Sequence, residues 1–216
     1  MKLVVKIGGS LSIDEHGPKK EYFRKLIPVL RKIRQSNQLI VSIGGGKFIR
    51  DYYGAVKNLG LDNEEMEWIA VDLLRVNVRF LSFLLKTKPI LSLDEIKSST
   101  SGVIGGIAPR RSTDANAAYA AARIKADLFI KLTDVDGVYT ADPDIDKDAK
   151  KLDKIPFSHV MKFAKTGKPG SYGILDKTAM EIIKKNKIRT IVMSGAEPKD
   201  LLLAIKGQRI GTIISD

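Results

Sequence analysis

The sequence predicts an α/β fold in which a mostly parallel β-sheet is covered by helices on both faces. Short apolar runs rich in Val, Ile and Leu alternate with longer segments whose apolar residues recur at helical spacing. This alternation is typical of parallel sheets, because the chain must cross back over the sheet between one parallel strand and the next. The 216 residues suffice for one large domain or two small ones.

The individual elements follow from local pattern. Short apolar runs predict strands at residues 2–7, 39–43, 89–93, 102–106, 127–132, 188–193 and 211–214. Helical spacing predicts helices at residues 20–35, 47–58, 63–85, 113–125, 157–165, 175–186 and 198–206. Helix 20–35 is expected despite Pro28. The sequence further predicts an acidic loop at residues 134–154, a flexible turn at 168–173 and a soft boundary near residue 126.

The composition argues against several classes of protein. With no cysteine, the chain has no disulfide, no thiolate metal site and no cysteine nucleophile. No apolar run approaches the roughly 20 residues that span a bilayer, and no signal-peptide pattern is present, so we expect a cytoplasmic protein without a membrane partner. The net charge of +12 is spread along the chain without an RNA-stacking motif. We interpret it as a lysine-rich surface rather than a nucleic-acid site, although it is compatible with steering an anionic substrate.

Two glycine clusters each follow an apolar run, at residues 8–9 and 44–46. Loops with so few side chains let backbone N–H groups close on an anion, and a following helix N-terminus adds positive potential. Neither cluster has the G-x-G-x-x-G spacing of dinucleotide-binding folds, and the chain contains no G-x-x-x-x-G-K-[ST] sequence. The pair therefore predicts two anionic groups brought together, as phosphoryl transfer requires.

Charged residues near these loops supply the candidate chemistry. Lys6 either neutralises charge on a transferring phosphoryl group or is an ordinary lysine at a strand end. Arg50 lies one turn into the helix after the second cluster, where it faces the same mouth or is simply solvated. Asp114 suits the first turn of its helix and can orient two lysines across an anion site.

Two further segments leave alternatives open. Ser112 or Thr113 can cap the alanine-rich helix, while Arg110 and Arg111 either reach a phosphate or only decorate a loop. Residues 133–143 form either an ordinary acidic turn or a loop that hydrogen-bonds the ribose and base of a nucleotide. No protein metal site is evident, so Mg²⁺ would be carried by nucleotide phosphates and water.

Four motifs together resemble the amino acid kinase superfamily, in its order and spacing. They are K-I-G-G-S at residues 6–10, G-G-G-K at 44–47, S-T-D-A at 112–115 and T-D-V-D-G-V-Y-T-A-D-P at 133–143. The resemblance covers nearly the whole chain. Within the superfamily, the length and the helix at 60–77 are most similar to those of the archaeal UMP kinases.

The resemblance implies a three-layer αβα sandwich with a mostly parallel, open central sheet. It implies one domain, 1–216, in which residues 1–126 bind the acceptor and carry the transfer, and residues 127–216 bind ATP with its Mg²⁺. The implied reaction is in-line transfer from ATP to UMP, giving UDP without a covalent enzyme intermediate. It also implies a homo-oligomer, a dimer or hexamer, assembled through the acceptor-side helices.

The resemblance assigns three groups of site residues. The implied catalytic residues are Lys6 and Asp114. The implied ATP-binding residues are Gly8, Gly9, Ser10, Thr133, Asp134, Asp136, Tyr139, Asp142 and Pro143. The implied acceptor-binding residues are Gly44, Gly45, Arg50, Glu67, Ile107, Arg110, Arg111, Ser112 and Thr113.

Several positions depart from the superfamily pattern on the acceptor and transfer sides. Glu67 stands for a usual aspartate, Ala70 for a glycine and Ile107 for a threonine. Glu181 aligns with a usual lysine, and Lys177 one turn away is a possible substitute.

These departures keep two alternatives open. One is a kinase for another small phosphate or carboxylate such as isopentenyl phosphate, although residues 47–50 lack the histidine that isopentenyl phosphate kinases carry there. The other is a non-catalytic nucleotide sensor, against which the presence of Lys6 and Asp114 argues.

Overall fold

The computed structural model describes residues 1–143, 145–165 and 174–216. The strands are β1 (Lys2–Ile7), β2 (Ile13–Asp14), β3 (Gly17–Pro18), β4 (Gln38–Ile43), β5 (Pro89–Ile90), β6 (Gly102–Ile104), β7 (Leu128–Thr133), β8 (Val138–Tyr139), β9 (Lys151–Leu152), β10 (Lys154–Ile155), β11 (Ala164–Lys165), β12 (Leu175–Asp176), β13 (Thr190–Ser194) and β14 (Thr212–Ile214). The helices are α1 (Gly9–Ser12), α2 (Lys20–Ser36), α3 (Gly46–Val56), α4 (Asn63–Leu85), α5 (Thr113–Ile124), α6 (Lys177–Asn186) and α7 (Asp200–Ile205), with 3₁₀ turns at Leu93–Glu95 and Val160–Phe163.

Eight of these strands form one open sheet in the order β10-β14-β13-β7-β1-β4-β6-β5. Every neighbouring pair in it is parallel except β13 with β14. The predicted mostly parallel sheet is therefore confirmed. Strands from before and after residue 126 meet side by side where β1 pairs with β7; the proposed division of labour at that boundary stays a prediction.

The two faces of the sheet bury separate clusters of apolar side chains. Along β1, Leu3, Val5 and Ile7 pack toward α2, α4 and α7, whereas Val4 packs toward α5 and α6. Successive strand residues point to opposite faces, so one strand serves both clusters. Two helical layers thus enclose the sheet, as the three-layer prediction requires. Within the described parts of the chain, no helix is long and apolar enough to cross a membrane.

The sequence-based boundaries fail where distant pairing decides the structure. The helix predicted at 157–165 is wrong: that region holds only a 3₁₀ turn, and its end, β11, pairs with β12. Helix α6 begins at Lys177, because Asp176 is its N-cap and accepts a hydrogen bond from the Ala179 N–H at 3.0 Å. The predicted acidic loop contains β8 and β9, which pair antiparallel. The predicted turn at 168–173 lies outside the described residues.

Candidate active site

A cleft with a cavity volume of about 460 Å³ opens at the carboxyl ends of β1, β4 and β7. Ligand sites in open α/β sheets occur at this edge, because the loops that leave the strands converge there. The residues that line the cleft are Lys6, Gly8, Gly9, Ser10, Gly44, Gly45, Gly46, Arg50, Thr113, Asp114, Lys131, Thr133, Asp134, Val135, Asp142, Pro143 and Ile174.

Three charged side chains meet in the wall of this cleft. The Lys131 Nζ lies 2.8 Å from the Asp114 Oδ1, and the Lys6 Nζ lies 3.4 Å from the same oxygen. The Lys6 and Lys131 side chains are only 3% and 8% exposed, and Asp114 is 15% exposed. Lys6 also donates to the Ile7 carbonyl at 3.0 Å. Charges this deeply buried are held in place by their pairing, because an unpaired one would be costly.

The strands place both lysines on the same face of the sheet. Lys6 and Lys131 are register partners on the parallel strands β1 and β7. The residues that flank each lysine point to the face covered by α2, α4 and α7. Because successive strand residues alternate between faces, both lysines point to the other face, toward α5. Asp114 lies in the first turn of α5, and Ser42 at the end of β4 donates to the Thr113 carbonyl at 3.2 Å. The start of α5 is thus fixed over the ends of three central strands.

The two glycine clusters pack against each other across the mouth of the cleft. A Cβ on Gly9 would lie 2.5 Å from the Gly46 nitrogen, and one on Gly44 would lie 3.2 Å from the Gly9 nitrogen. Gly46 has a left-handed φ of +65°, and a Cβ there would lie 2.1 Å from the Ile13 carbonyl oxygen. Only glycine permits this approach of backbone to backbone. The two loops that were predicted to bring two anionic groups together therefore form one surface.

The first cluster does not continue as an open loop. Helix α1 begins at Gly9. The N–H of the preceding residue, Gly8, donates a hydrogen bond of 2.9 Å to the Leu132 carbonyl. The Ser10 hydroxyl donates to the Asp134 carboxylate at 3.4 Å, and Lys19 donates to the Ser10 carbonyl at 2.7 Å. The first of these bonds joins the start of α1 to the loop that follows β7, and the second joins it to the start of α2.

The predicted ATP-binding residues divide into two groups. Gly8, Gly9, Ser10, Thr133, Asp134, Asp142 and Pro143 line the cleft. Asp136 and Tyr139 lie beyond it with Lys151: the Tyr139 hydroxyl donates to Asp136 at 2.6 Å, and the Lys151 ammonium lies 2.9 Å from the same carboxylate. These two donors, Tyr139 first, hold the pKa of Asp136 below its usual value. The roles predicted for both groups stay predictions.

The predicted acceptor residues divide in the same way. Gly44, Gly45, Arg50 and Thr113 line the cleft, and the Asn77 side chain supports the first of them by donating to the Gly44 carbonyl at 3.3 Å. The other five lie in or against the loop that leads into α5. They are Glu67, Ile107, Arg110, Arg111 and Ser112.

That loop is held by side chains that bond to the protein itself. Glu67 accepts a hydrogen bond of 2.8 Å from the Arg110 backbone N–H, at a residue whose φ is +58°. Arg75 donates to the carbonyl of the buried Ile107 at 3.2 Å. Such contacts determine where the loop lies, and they occupy groups that the sequence pattern assigned to a ligand.

The two remaining residues of the loop also bond within the protein. The Arg111 guanidinium donates to Asn116 at 3.1 Å and lies over the ring of Tyr119, 5.8 Å from its centre. Ser112 caps α5 and donates to Asp176 at 2.5 Å. The Ser112 hydroxyl thereby links the starts of α5 and α6.

Sequence reasoning missed Lys131, the third member of the charged group. A signal was present, because Lys131 is the one charged residue in the otherwise apolar or uncharged strand L-F-I-K-L-T. Lysine is seldom fully buried unless it is paired. Lys177, the possible substitute for the family lysine that aligns with Glu181, has a side chain that is 74% exposed, with its Nζ 3.8 Å from the Glu181 carboxylate.

Comparison with known proteins identifies the family. The model of the amino acid kinase family matches residues 1–91 and 55–194. A uridylate kinase of Methanobrevibacter smithii is 35% identical over 222 residues, covering 98% of each chain, and one of Archaeoglobus fulgidus is 34% identical over 224 residues, covering all of both.

Solved structures agree with the sequence comparison. The crystal structure of uridylate kinase from Archaeoglobus fulgidus has a TM-score of 0.84 at 32% identity, over the full length of both chains. A UMP kinase from Bacillus anthracis, at 20% identity, shares the fold with a TM-score of 0.81, covering 100% of this chain and 96% of its own. The motifs pointed to the same relationship, and the chain belongs to the amino acid kinase family.

Proposed function

We propose that this chain is a nucleoside monophosphate kinase that transfers the γ-phosphoryl group of ATP to UMP, giving ADP and UDP. The observation that carries the proposal is the buried group of Lys6, Lys131 and Asp114 in the wall of a cleft between two glycine clusters. The full-length relatives named uridylate kinase support the choice of acceptor.

The chemistry needs positioned positive charge more than acid–base groups. An oxygen of the UMP phosphate attacks the γ-phosphorus in line, and the bond from that phosphorus to the β,γ-bridging oxygen breaks as ADP leaves. Negative charge on the phosphoryl oxygens is met by the Lys6 ammonium, which Asp114 holds from behind. The backbone N–H groups of residues 9–10 and 44–45 contact the phosphates of the two substrates, while Gly8, whose N–H is bonded to Leu132, leaves room for them beside the cleft wall.

The two ends of the cleft take different substrates. Residues 133–143 and the start of α1 receive ATP, with Asp136 and Tyr139 at the outer end. Arg50 and the second glycine cluster receive the acceptor phosphate, and Glu67 holds the loop that carries Arg110 and Arg111. In this proposal residues 1–126 bind the acceptor and carry the transfer, with the start of α1 reaching the ATP phosphates, and residues 127–216 supply the rest of the ATP site in the same domain.

Mg²⁺ enters as part of the substrate, bound to the phosphates of ATP and to water. The donors in the cleft fit this complex, since lysines face the phosphates while Asp134 and Asp142 offer oxygen atoms to metal-bound water. We also propose that the enzyme works in the cytoplasm, which suits a chain without cysteine.

A homo-oligomer, dimer or hexamer, is supported by apolar side chains on α4 that remain exposed. Trp68, Val76 and Phe83 are 40%, 62% and 73% exposed. Phe80 on the same helix instead packs edge-on against Phe23, with ring centres 5.2 Å apart. Size-exclusion chromatography with light scattering measures the mass directly, and a monomer of 23.8 kDa contradicts the proposal.

An ADP-release assay over UMP, CMP, isopentenyl phosphate and small amino acids tests the function. We expect turnover with UMP to exceed that with the other acceptors. Turnover with isopentenyl phosphate or an amino acid instead of UMP would leave the kinase chemistry standing and reject the acceptor. Saturable nucleotide binding with no turnover on any acceptor would identify a sensor.

The variant Lys6→Ala separates a kinase from a sensor. We expect kcat to fall by about 10²–10³-fold, because one preorganised charge on the phosphoryl group is lost. The matched control is Lys32→Ala, which removes an exposed lysine of α2 and should keep wild-type kcat. Unchanged kcat in Lys6→Ala contradicts the assigned role.

A further inference from the structure

Lys131 combines two properties that a structural lysine does not need. Its side chain is 8% exposed, yet the residue lines the cleft at the carboxyl end of β7. The residues on either side, Ile130 and Leu132, are fully buried in the opposite core. An apolar residue at this position would complete the strand without the cost of burying a charge, so the ammonium group requires a separate explanation.

Lys6 and Lys131 share a single carboxylate oxygen. Lys6 and Lys131 approach the same oxygen, Asp114 Oδ1, at 3.4 and 2.8 Å. Both ammonium groups therefore converge on one point. That point lies at the wall of a cleft rather than inside the core, where an anion can reach it.

The strand register brings both ammonium groups to one place. Lys6 and Lys131 are partners on adjacent parallel strands, about 4.8 Å apart in the sheet, and both face α5. A phosphoryl group that meets one of them at the cleft wall therefore lies within reach of the other. Lys177, the other lysine considered for the site, pairs with Glu181 on the surface of α6 and is not among the described residues that line the cleft.

We propose that Lys131 is a second catalytic cation, whose ammonium contacts the phosphoryl oxygens during transfer while Asp114 holds it and Lys6 together. The inference rests on the proposed kinase function. Lys6 and Lys131 share the negative charge of the group in flight, one from β1 and one from β7, and the attacking and leaving oxygens are those of the two substrates. Lys131 forms no covalent bond and transfers no proton.

The test compares Lys131→Met and Lys131→Arg with the wild-type chain. Methionine keeps the length and removes the charge, so we expect kcat with UMP to fall about 10²-fold or more. We expect the KM for ATP to change less than about threefold, because the contact strengthens in the transition state. Arginine restores the charge in a different shape and should recover at least about tenfold in kcat over methionine.

Two controls separate catalysis from folding. Lys154→Met removes an exposed lysine from another strand, β10, and should keep wild-type kcat. Thermal unfolding is measured for every variant, and the Lys131→Arg comparison stands even where Lys131→Met lowers the melting temperature. A loss of kcat in a folded Lys131→Met with recovery in Lys131→Arg supports the proposal.

The outcomes that overturn it are distinct from failure of the proposed function. If the wild-type chain forms UDP and folded Lys131→Met has the same kcat, Lys131 is a structural partner of Asp114 and only this inference fails. If both substitutions lower stability and kcat equally, without recovery in Lys131→Arg, the structural role is again favoured. If the wild-type chain turns over no acceptor at all, the kinase function fails and this inference fails with it.

Discussion

The transfer side of the cleft and its acceptor side use charged residues in opposite ways. On the proposed transfer side, the buried Lys6 and Lys131 both pair with the carboxylate of Asp114, which is 15% exposed. On the acceptor side, Glu67 and Arg75 bond to backbone groups of the loop before α5. In the proposed function, the lysines present charge to a ligand, whereas Glu67 and Arg75 use charge to shape a loop.

This difference matches what each side has to do. Charge that stabilises a transition state must be fixed before the reaction, and burial between strands fixes it. Acceptor choice depends on where a loop lies, and loops vary more readily than the strands that carry them. The departures Glu67 and Ile107 from the superfamily pattern fall on the loop side, so they alter support for the acceptor site rather than the transfer group.

The two sides meet at Gly9 and Gly46, and Gly46→Ala should have the largest effect on stability. A left-handed φ costs a non-glycine residue about 1–2 kcal/mol, and the approach to the Ile13 carbonyl adds about 1–3 kcal/mol of overpacking. We expect the free energy of unfolding, measured in urea, to fall by about 3 kcal/mol. Because Gly9 lies against Gly46, the KM values for ATP and for UMP should both rise.

The matched control is Gly54→Ala on the same helix, α3. A Cβ at Gly54 meets no atom within 4 Å, and alanine favours a helix interior over glycine by about 1 kcal/mol. This variant should be slightly more stable than the wild type. A Gly46→Ala protein with an unchanged urea midpoint would mean that the two loops move apart freely and the sides are not one surface.

Much of the fold could be predicted from the sequence because the patterns that determine its helices and strands lie within single segments. The helical spacing of apolar residues predicted helix α4 at its observed bounds, and the structure shows a local signal at its start, a capping box of Asp62 and Glu65. The segment at 157–165 was not predicted correctly, because β11 exists only through pairing with β12. No pattern within one segment carries that information.

The candidate site likewise contains residues that local patterns predicted and residues that depend on distant contacts. Glycines and a charge next to strand ends predicted Lys6 and the two clusters, and a helix first turn predicted Asp114; all of them line the cleft. Lys131 was missed because its importance depends on the register of β7 with β1, which brings it beside Lys6. The bond from Arg110 to Glu67 could not be foreseen, since it depends on how α4 packs against a loop 43 residues further along the chain.

Removal of the Glu67 carboxylate should have a smaller effect. It tests whether Glu67 affects UMP binding by holding the loop before α5 in place. Glu67→Ala loses the hydrogen bond from the Arg110 N–H, worth about 1 kcal/mol. We expect the KM for UMP to rise about five- to tenfold, while kcat and the KM for ATP change less than about twofold. Glu67→Gln keeps an acceptor oxygen and should stay close to the wild type.

Steady-state kinetics with both substrates varied makes this measurement. Glu64→Ala, which removes an exposed glutamate from the first turn of α4, is the control. If the KM for UMP rises as much in Glu67→Gln as in Glu67→Ala, the negative charge of Glu67 itself acts on the bound acceptor. Glu67 would then not act only by holding the loop.

The smallest effect is expected at Asp136, an exposed carboxylate near the cleft. Its substitution tests whether burial, rather than short bonds, makes a charged group contribute to stability. Its bonds to Tyr139 and Lys151, 2.6 and 2.9 Å long, are as short as those of the transfer group, but its side chain is 56% exposed. These partners lower its pKa in the folded state, so they stabilise the fold above the ordinary carboxyl pKa near 4, and the stabilisation is lost as pH falls through the lowered value. Because exposed pairs are weakened by solvent, Asp136→Asn should cost at most about 0.5 kcal/mol at pH 7.

Urea midpoints at pH 7, 5 and 3 check this value and its sign. Between pH 5 and pH 3 the wild type should lose slightly more stability than Asp136→Asn, because only the wild type loses an ionised carboxylate there. Asp153→Asn, at an exposed aspartate between β9 and β10, corrects for the change in net charge. If Asp136→Asn instead lowers the free energy of unfolding by several kcal/mol, short bonds suffice to hold a charged group in place. Burial would then not be what distinguishes the group of Lys6, Lys131 and Asp114.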